Sequence, residues 1–253
     1  MLQQAKTKPA EMPAPGEKKP DAYSVLRKDI IELRLKPGTI VSIRDLCGHY
    51  RISRSPMRDA LIRLGEENLV DLLPQRGIMI SKINIGRVEE ERFLRISVER
   101  GVMRIFAQRH TPEDLVFPEA SIVRQKRALR EKDYRVCLAL DDEFHRHFYR
   151  AAGKTFCADV VRKASGHYSR VRLLTCVDRD ISRKVIDQHS ELIEAIKKDD
   201  TDRMLRVFQD HLGSLDDEIR DLSNRYPDLF LQGKSVPRES DLLENDFLET
   251  LKG

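Results

Sequence analysis

The chain reads ISRSPMRDAL from residue 52 to residue 61, and this stretch decides the fold of the N-terminal third. Ser53 and Ser55 are of the residue type that caps helices, and Pro56 is tolerated in a first turn, where amide hydrogens have no partner within the helix. Apolar residues then recur at helical spacing and predict one buried face: Met57, Ala60, Leu61 and Leu64. The stretch therefore predicts a helix that begins near Ser53 or Ser55.

Basic residues are concentrated on the same stretch. Arg54 and Arg58 are four residues apart, so they project from the same helix face. The N-terminal end of a recognition helix enters the major groove of DNA, where arginine bonds guanine through two nitrogens. The alternative is a basic helix face that only contacts solvent.

The flanking sequence completes a recognisable plan. A helical apolar stripe ends at the turn 36–38, and a second short helix follows it. Two apolar strands, 69–73 and 78–80, flank the turn 74–77 and predict a hairpin. Three helices followed by a hairpin are the plan of a winged helix-turn-helix.

Residues 22 to 82 resemble the DNA-binding domain of the GntR family, whose motif typically reads VSRTPVREAL. The resemblance implies a winged helix-turn-helix over residues 21–82 that binds double-stranded DNA. It also implies the following DNA contacts, the last three at the wing tip beside the minor groove: Arg44, Ser53, Arg54, Ser55, Arg58, Gln75, Arg76 and Gly77. Two positions depart from the family pattern, Ile43 where an acid is common and Asn68 where glycine is usual.

The rest of the chain shows only helical periods between residues 87 and 222, so we expect about six helices in an all-α bundle over 87–223. The fold class is therefore mainly α. Residues 1–20 are rich in Pro and Lys and are expected to be a flexible arm, inert or brushing DNA phosphates. Residues 224–253 are expected to be a tail that docks loosely or is partly disordered.

Four residues of this helical region have the spacing of a metal site. Asp141 and His145 are four apart on a predicted helix and point the same way. His189 lies eleven residues before the predicted turn at Asp200 and His211 eleven after it, so an antiparallel helix pair brings them to one level. One carboxylate and three imidazoles form a credible site for Zn²⁺, with Ni²⁺ or Mn²⁺ as alternatives.

The same residues resemble the metal-binding FCD-type domain found in the FadR-like branch of the GntR family. The run from Asp141 to His145 is similar to its D-x-x-F-H element, and His189, Asp199 and His211 to a later H…A-I…D…H pattern. The resemblance, which covers about residues 88–222, implies that Asp141, His145, His189 and His211 are metal ligands. Other polar residues are left out as structural or surface groups: His49, His110, Asp142, His147 and His167.

Such domains usually bind a small organic acid beside the metal. Arg95 matches a family R-x-x-x-E element and is a candidate to bind the acid's carboxylate, the alternative being a simple i,i+4 pair with Glu99. Arg172 is the second candidate. Lys154 stands where the family often has asparagine, so the pocket chemistry is expected to differ here.

Composition bounds the remaining possibilities. The 253 residues are 40% hydrophobic and 35% charged, which is enough apolar material for two globular domains. The four cysteines are scattered without a C-x-x-C pair, and no apolar run is long enough to span a bilayer. We therefore expect a cytoplasmic protein that does not enter the membrane.

These observations predict a ligand-responsive repressor. It would bind an inverted-repeat operator as a homodimer and release it when a small organic or sugar acid binds beside the metal. One alternative is a regulator for which the metal itself is the signal. A metalloenzyme using the Asp/His₃ site is disfavoured, because no general base stands at a convincing spacing and no nucleophile motif occurs; we expect no enzyme activity.

Overall fold

The computed structural model describes residues 21–213 and 216–231. The predicted arm, residues 1–20, and residues 232–253 of the predicted tail lie outside the described residues. The chain divides into two compact units. The helical unit runs from Ile83 to Pro227, and the N-terminal unit combines the chain before it with the segment that follows it.

Within its described residues the N-terminal unit holds three helices and a three-stranded antiparallel sheet of order β1-β3-β2. The bounds are α1 (Ala22–Ile31), β1 (Ile40–Val41), α2 (Ile43–Tyr50), α3 (Arg54–Glu66), β2 (Val70–Leu73) and β3 (Gly77–Ile80). The predicted β2–β3 hairpin is present. Strand β1, which pairs Ile40 with Met79 and Val41 with Ile78, was not predicted, since two residues are too few to show alternation. The winged helix-turn-helix fold is confirmed.

The core of the N-terminal unit is built from the apolar faces of its three helices and its sheet. The predicted buried face of α3 is confirmed, and it packs with Leu26 and Ile30 of α1 and Ile80 of β3. Side chains of Asp21 and Ser42 accept hydrogen bonds from the first turns of α1 and α2. Leu229 and Phe230, from the predicted tail, also belong to this unit and are buried.

The helical unit contains eight α-helices in its described part, where the sequence predicts about six. They are α4 (Ile85–Arg109), α5 (Val116–Arg130), α6 (Tyr134–Ala151), α7 (Thr155–Lys163), α8 (Gly166–Val177), α9 (Arg179–Lys197), α10 (Thr201–Gly213) and α11 (Asp216–Arg225). The count was too low because α7 and α11 have only about three turns each. Such short segments show too few repeats to reveal a helical period.

Packing in the helical unit brings five helices, α4, α5, α6, α9 and α10, around one core. Helix α4 packs against α8 and α10, α5 packs against α6 and α9, and α9 packs against α10. The core they share is rich in phenylalanine: Phe106, Phe144, Phe148 and Phe208. No helix in the described part of the chain is long and apolar enough to cross a membrane. The predicted all-α second half is confirmed.

Candidate metal centre and nucleic-acid interface

The N-terminal end of α3 presents polar and basic side chains to solvent. Arg54 and Arg58 are exposed, as are Ser53 and Ser55. Ser53 occupies the N-cap position, but its side chain makes no capping hydrogen bond, so its hydroxyl is available to an outside acceptor such as a phosphate. The opposite face of α3 is held in the core, which fixes the direction in which the arginines project.

Four exposed arginines of this unit form no ion pair with any described residue. They are Arg44 at the start of α2, Arg54 and Arg58 on α3, and Arg76 at the turn between β2 and β3. Arg63, on the same helix, differs because its guanidinium stacks 3.6 Å from the ring centre of Tyr23. Unpaired cations grouped on one small unit are the electrostatic footprint of a nucleic-acid interface.

The wing tip depends on two backbone conformations. Gln75 has φ 60° and Gly77 has φ 113°, both in the left-handed region. A Cβ at Gly77 would lie 2.5 Å from the Val41 carbonyl oxygen, so only glycine allows β1 to approach the turn. The turn therefore leaves Gln75 and Arg76 exposed at the end of the hairpin.

Neither departure from the family pattern disturbs this surface. Ile43 is the first residue of α2 and packs against the core of the unit. Asn68 has φ 57°, the left-handed conformation that glycine would take and that asparagine tolerates. The turn after α3 is thus formed with asparagine in place of glycine.

The four predicted metal ligands converge in the helical unit. Helix α6 supplies Asp141 and His145, α9 supplies His189 and α10 supplies His211, and one donor atom from each lies within 4.8 Å of every other. The Nε2 atom of His211 is 3.1 Å from that of His145 and 3.2 Å from that of His189. Asp141 Oδ1 is 3.4 Å from His189 Nε2.

These distances fit a bound divalent ion. Metal–ligand bonds of about 2.0–2.2 Å place neighbouring donor atoms roughly 3.0–3.5 Å apart, and the three distances given above lie in this range. The donor set of three imidazole nitrogens and one carboxylate oxygen suits a borderline transition metal. The structure thus brings together all four residues that the sequence singled out.

A second set of side chains orients the imidazoles. His145 Nδ1 lies 2.9 Å from Glu99 Oε2, His189 Nδ1 lies 2.8 Å from Gln125 Oε1, and His211 Nδ1 lies 3.2 Å from Gln188 Oε1. Each Nδ1 therefore faces an oxygen atom that can accept its proton in a hydrogen bond, as in histidines that bind a metal through the other ring nitrogen. Three Nε2 lone pairs are left facing one another, an arrangement that is repulsive unless a cation lies between them.

Burial keeps the metal-facing groups in the form that binds a cation. Burial lowers the pKa of His189 to about 3 and also holds the pKa of His211 well below its usual value. Burial raises the pKa of Asp141, but nearby positive charge, above all that of Arg172, lowers it by more. The net pKa lies well below the usual range, so Asp141 is ionised and His189 and His211 are neutral.

The two predicted effector-binding arginines lie beside this cluster and are both paired. Arg95 Nε donates to Glu99 Oε1 at 2.9 Å, which is the i,i+4 pair considered above, and its Nη2 is 4.0 Å from Asp141 Oδ2. Arg172 contacts Asp141 through Nη2 and donates from Nη1 to Asp142 Oδ1 at 2.7 Å. Sequence reasoning missed Asp142, because its partner lies on α8, thirty residues away.

A cavity of about 70 Å³ adjoins the cluster. Asp141 and His211 form one side of it, and Arg95, Arg172 and Tyr168 line it as well. The centre of the Tyr168 ring lies 5.8 Å from the guanidinium carbon of each arginine. The cavity therefore combines two cations with direct access to the metal ligands.

The remaining histidines have structural surroundings or lie at the surface. His147 Nε2 lies 2.6 Å from the Asp114 carbonyl oxygen, and its ring stacks on Phe117. His167 is buried and accepts a hydrogen bond from the Asn84 amide at 3.1 Å. His49 is exposed, and His110 stacks on Phe106. None of these four belongs to the metal-ligand group found among the described residues.

Comparisons with known proteins agree with both halves of the chain. Residues 19–80 match the family described as "Bacterial regulatory proteins, gntR family", and residues 92–214 match the FCD domain. The HTH-type transcriptional repressor RspR of Escherichia coli (strain K12) is 28% identical over 208 residues, covering 82% of this chain and 91% of the repressor. An HTH-type transcriptional regulator in an unstable DNA locus of Streptomyces ambofaciens is 30% identical over 210 residues, covering 83% and 88%.

A solved structure shares the fold. The structure of E. coli McbR/YncC superposes with a TM-score of 0.69 at 17% identity, covering 82% of this chain and 98% of the other. The family and the relatives named above are transcription regulators, which confirms the expectation that the chain is not an enzyme. The chain belongs to the GntR family of bacterial transcription regulators, with a GntR winged helix-turn-helix followed by an FCD domain.

Proposed function

We propose that this regulator is a repressor that leaves its operator when a small organic or sugar acid binds beside a divalent metal ion. The observation that carries the proposal is the convergence of three imidazole Nε2 atoms and Asp141 next to a cavity lined by Arg95 and Arg172. A cation at the cluster and two guanidinium groups beside it form a site for a carboxylate. Repression is supported by the relative RspR, whose name describes a transcriptional repressor.

Zinc is the metal we favour, with nickel or manganese as alternatives. Three imidazoles and one carboxylate suit each of these ions, and selection among them depends on geometry and supply. Glu99, Gln125 and Gln188 would orient the rings, and Arg172 would hold Asp141. A bound metal would supply a positive charge beside the cavity.

The DNA-binding half of the proposal uses the exposed arginines. Arg54 and Arg58 read base edges from the start of α3. The DNA phosphates are contacted by Arg44, Ser53 and Ser55. The wing tip lies at the minor groove and consists of Gln75, Arg76 and Gly77. This assignment rests on their exposure and on the lack of ion pairs to described residues. We propose a cytoplasmic location for this regulator, because the bacterial chromosome lies there.

We propose that the protein acts as a homodimer on an inverted repeat. Two large aromatic side chains of the helical unit are exposed, Phe93 of α4 at 73% and Phe156 of α7 at 78%, and these two helices pack together. Exposed aromatic groups on neighbouring helices mark an association surface.

Phe93→Asp is expected to give monomers by light scattering, whereas Val123→Asp on α5, also exposed, leaves the dimer intact. A dimeric Phe93→Asp variant would place the interface elsewhere.

Regulation requires that the acid distinguish two states of the protein. An effector shifts a conformational equilibrium only by as much as its affinity differs between the DNA-binding and released states. The expected result is therefore a lower operator affinity with acid than without it. By linkage, operator DNA lowers the affinity for the acid by the same factor.

The deciding experiment is a thermal-shift panel of organic and sugar acids on protein of known metal content, with and without a chelator. An acid that raises Tm only while metal is bound supports the proposal and identifies the effector class. A large Tm shift from metal alone, with no response to any acid, would instead support a regulator that senses the metal. Reversal of DNA binding by metal addition and chelation would then test that alternative.

A further inference from the structure

The cavity beside the candidate metal cluster is lined by two chemically different kinds of side chain. Arg95 and Arg172, described above, are cations. The apolar and thiol side chains, here called the wall, come from α6, α8 and α9: Cys137, Leu138, Cys176, Ile181, Val185 and Ile186. A ligand that fills this space can contact both kinds of group.

The two thiols of this wall act as apolar groups. Burial raises the pKa of Cys137 to about 12 and raises that of Cys176 as well. Both therefore stay protonated at neutral pH, and a protonated thiol is a weak hydrogen-bond partner that packs like a small hydrophobic group.

Three neutral polar side chains that line the cavity donate hydrogen bonds within the protein. The Thr175 hydroxyl donates to the Arg172 carbonyl at 2.8 Å, and the Ser182 hydroxyl donates to the Cys176 carbonyl at 3.0 Å. Gln125 accepts from His189 and donates to Ser121. A ligand with several hydroxyl groups would lose more hydrogen bonds to water than these three side chains can replace, which is costly in a buried site.

The volume also limits the ligand. A water molecule needs about 10–15 Å³ of cavity volume. The cavity of about 70 Å³ therefore holds roughly five to seven water-sized groups. A carboxylate with a short alkyl chain fits within this limit. The number of non-hydrogen atoms in gluconate is roughly twice the number of water-sized groups that the cavity holds.

Building on the proposed function, we infer that the effector is a short-chain aliphatic carboxylate and not a polyhydroxylated sugar acid. Its carboxylate lies toward Arg95 and Arg172, and its alkyl chain lies against the wall formed by Cys137, Cys176, Val185 and Ile186. The selectivity arises from this wall, since the cations would bind either class of acid.

The first test is calorimetric titration of the metal-loaded full-length protein with acetate, propionate, n-butyrate, pentanoate and hexanoate. Each added methylene should tighten binding about fourfold until the wall is covered, after which affinity falls. Glycerate, similar in size to n-butyrate but hydroxylated, should bind at least about tenfold more weakly than n-butyrate.

The outcomes separate this inference from the proposed function. If glycerate or gluconate binds as tightly as n-butyrate, the inference is wrong and the acid-responsive regulator stands. If affinity does not depend on chain length, the inference is also wrong. If no carboxylate binds the metal-loaded protein, both fall together.

A second test changes the wall without changing its size. Cys176→Ser should weaken n-butyrate binding about tenfold and narrow the difference from glycerate, because it places a hydroxyl against the alkyl chain. Cys47→Ser, in the N-terminal unit, makes the same chemical change away from the cavity and should have no effect. Val185→Thr repeats the test at another wall position if Cys176→Ser does not fold. Unchanged n-butyrate affinity in a folded wall variant would overturn the inference.

Discussion

The two units use arginine in opposite ways. In the N-terminal unit, Arg54 and Arg58 are exposed and make no ion pair with any residue of the described ranges. In the helical unit, Arg95 is buried beside Glu99, and Arg172 contacts both Asp141 and Asp142. The difference reflects where each ligand arrives. Water solvates a surface guanidinium until DNA replaces it, but a buried one needs an acidic partner at all times.

This contrast also separates two kinds of competition. Under the proposed function, DNA would displace water and counterions from the exposed arginines, so its binding there would be governed by salt. A carboxylate effector would have to displace or share a protein carboxylate on Arg172. Substitution of acidic residues in the helical unit should therefore change its affinity for a carboxylate. In the N-terminal unit, only substitution of basic residues should change the affinity for DNA.

The largest effect is expected where the helical unit loses its metal ligands. The double variant His189→Ala with His211→Ala should retain less than about a tenth of an equivalent of metal, because two of four donors are gone. Losing a tightly bound ion should lower Tm by about 5–10 °C. Elemental analysis and a thermal melt measure the two effects.

His147→Ala is the matched control, since this imidazole lies on α6 near the site but contacts the Asp114 carbonyl and not the cluster. It should keep its metal. Full metal occupancy in the double variant would mean that other residues are the ligands and that the cluster is a hydrogen-bonded group without a metal.

The next largest effect tests the exposed arginines. Arg58→Ala should weaken binding to an operator selected with the wild-type protein by at least about a hundredfold, since a bidentate guanine contact is lost in each half-site. Tm should not change, because the side chain is exposed and makes no ion pair with described residues. Gel shift and thermal melt give the two readouts.

Arg206→Ala removes the same charge from an exposed position on α10 and should leave operator affinity within about twofold. Unchanged footprinting by Arg58→Ala would show that α3 does not read the operator. An equal loss in both variants would mean that only overall charge matters, which would erase the contrast between the two units.

The winged helix-turn-helix and the exposed arginines on it could be predicted almost entirely from sequence because their determinants are local. A helix start at Ser53, arginines four residues apart and a Pro-Gly-bounded turn each lie within a short window. The partner of Gly77 could not be predicted in this way. Its glycine is required by the Val41 carbonyl, which belongs to a strand too short to recognise in the sequence.

The convergence of the four candidate metal ligands was predictable only as far as helix geometry reaches. Four-residue spacing placed Asp141 beside His145, and symmetry about the α9–α10 turn placed His189 beside His211. The side chains that orient these ligands come from other helices: Glu99, Gln125 and Arg172. No sequence period connects α4, α5 or α8 to α6, so their contributions follow from tertiary packing alone.

The smallest expected effect concerns Asp142, which occupies one nitrogen of Arg172. Its side chain is 46% exposed, and its Oδ1 accepts from Arg172 Nη1 at 2.7 Å, so it competes with an incoming carboxylate for the same donor. Asp142→Asn keeps the shape but removes the charge. Acetate should then bind the metal-loaded protein about tenfold more tightly, as measured by calorimetry.

Glu143→Gln is the control, because this neighbouring acid pairs with the exposed Arg124 at 3.7 Å and not with Arg172. It should leave acetate affinity unchanged. Equal or weaker acetate binding by Asp142→Asn would mean that Asp142 holds Arg172 in place for the effector and does not compete with it. In that case Asp142 would position Arg172 before the carboxylate binds. The arginines of the two units would then differ in solvent exposure, but in neither unit would the ligand have to displace a protein carboxylate.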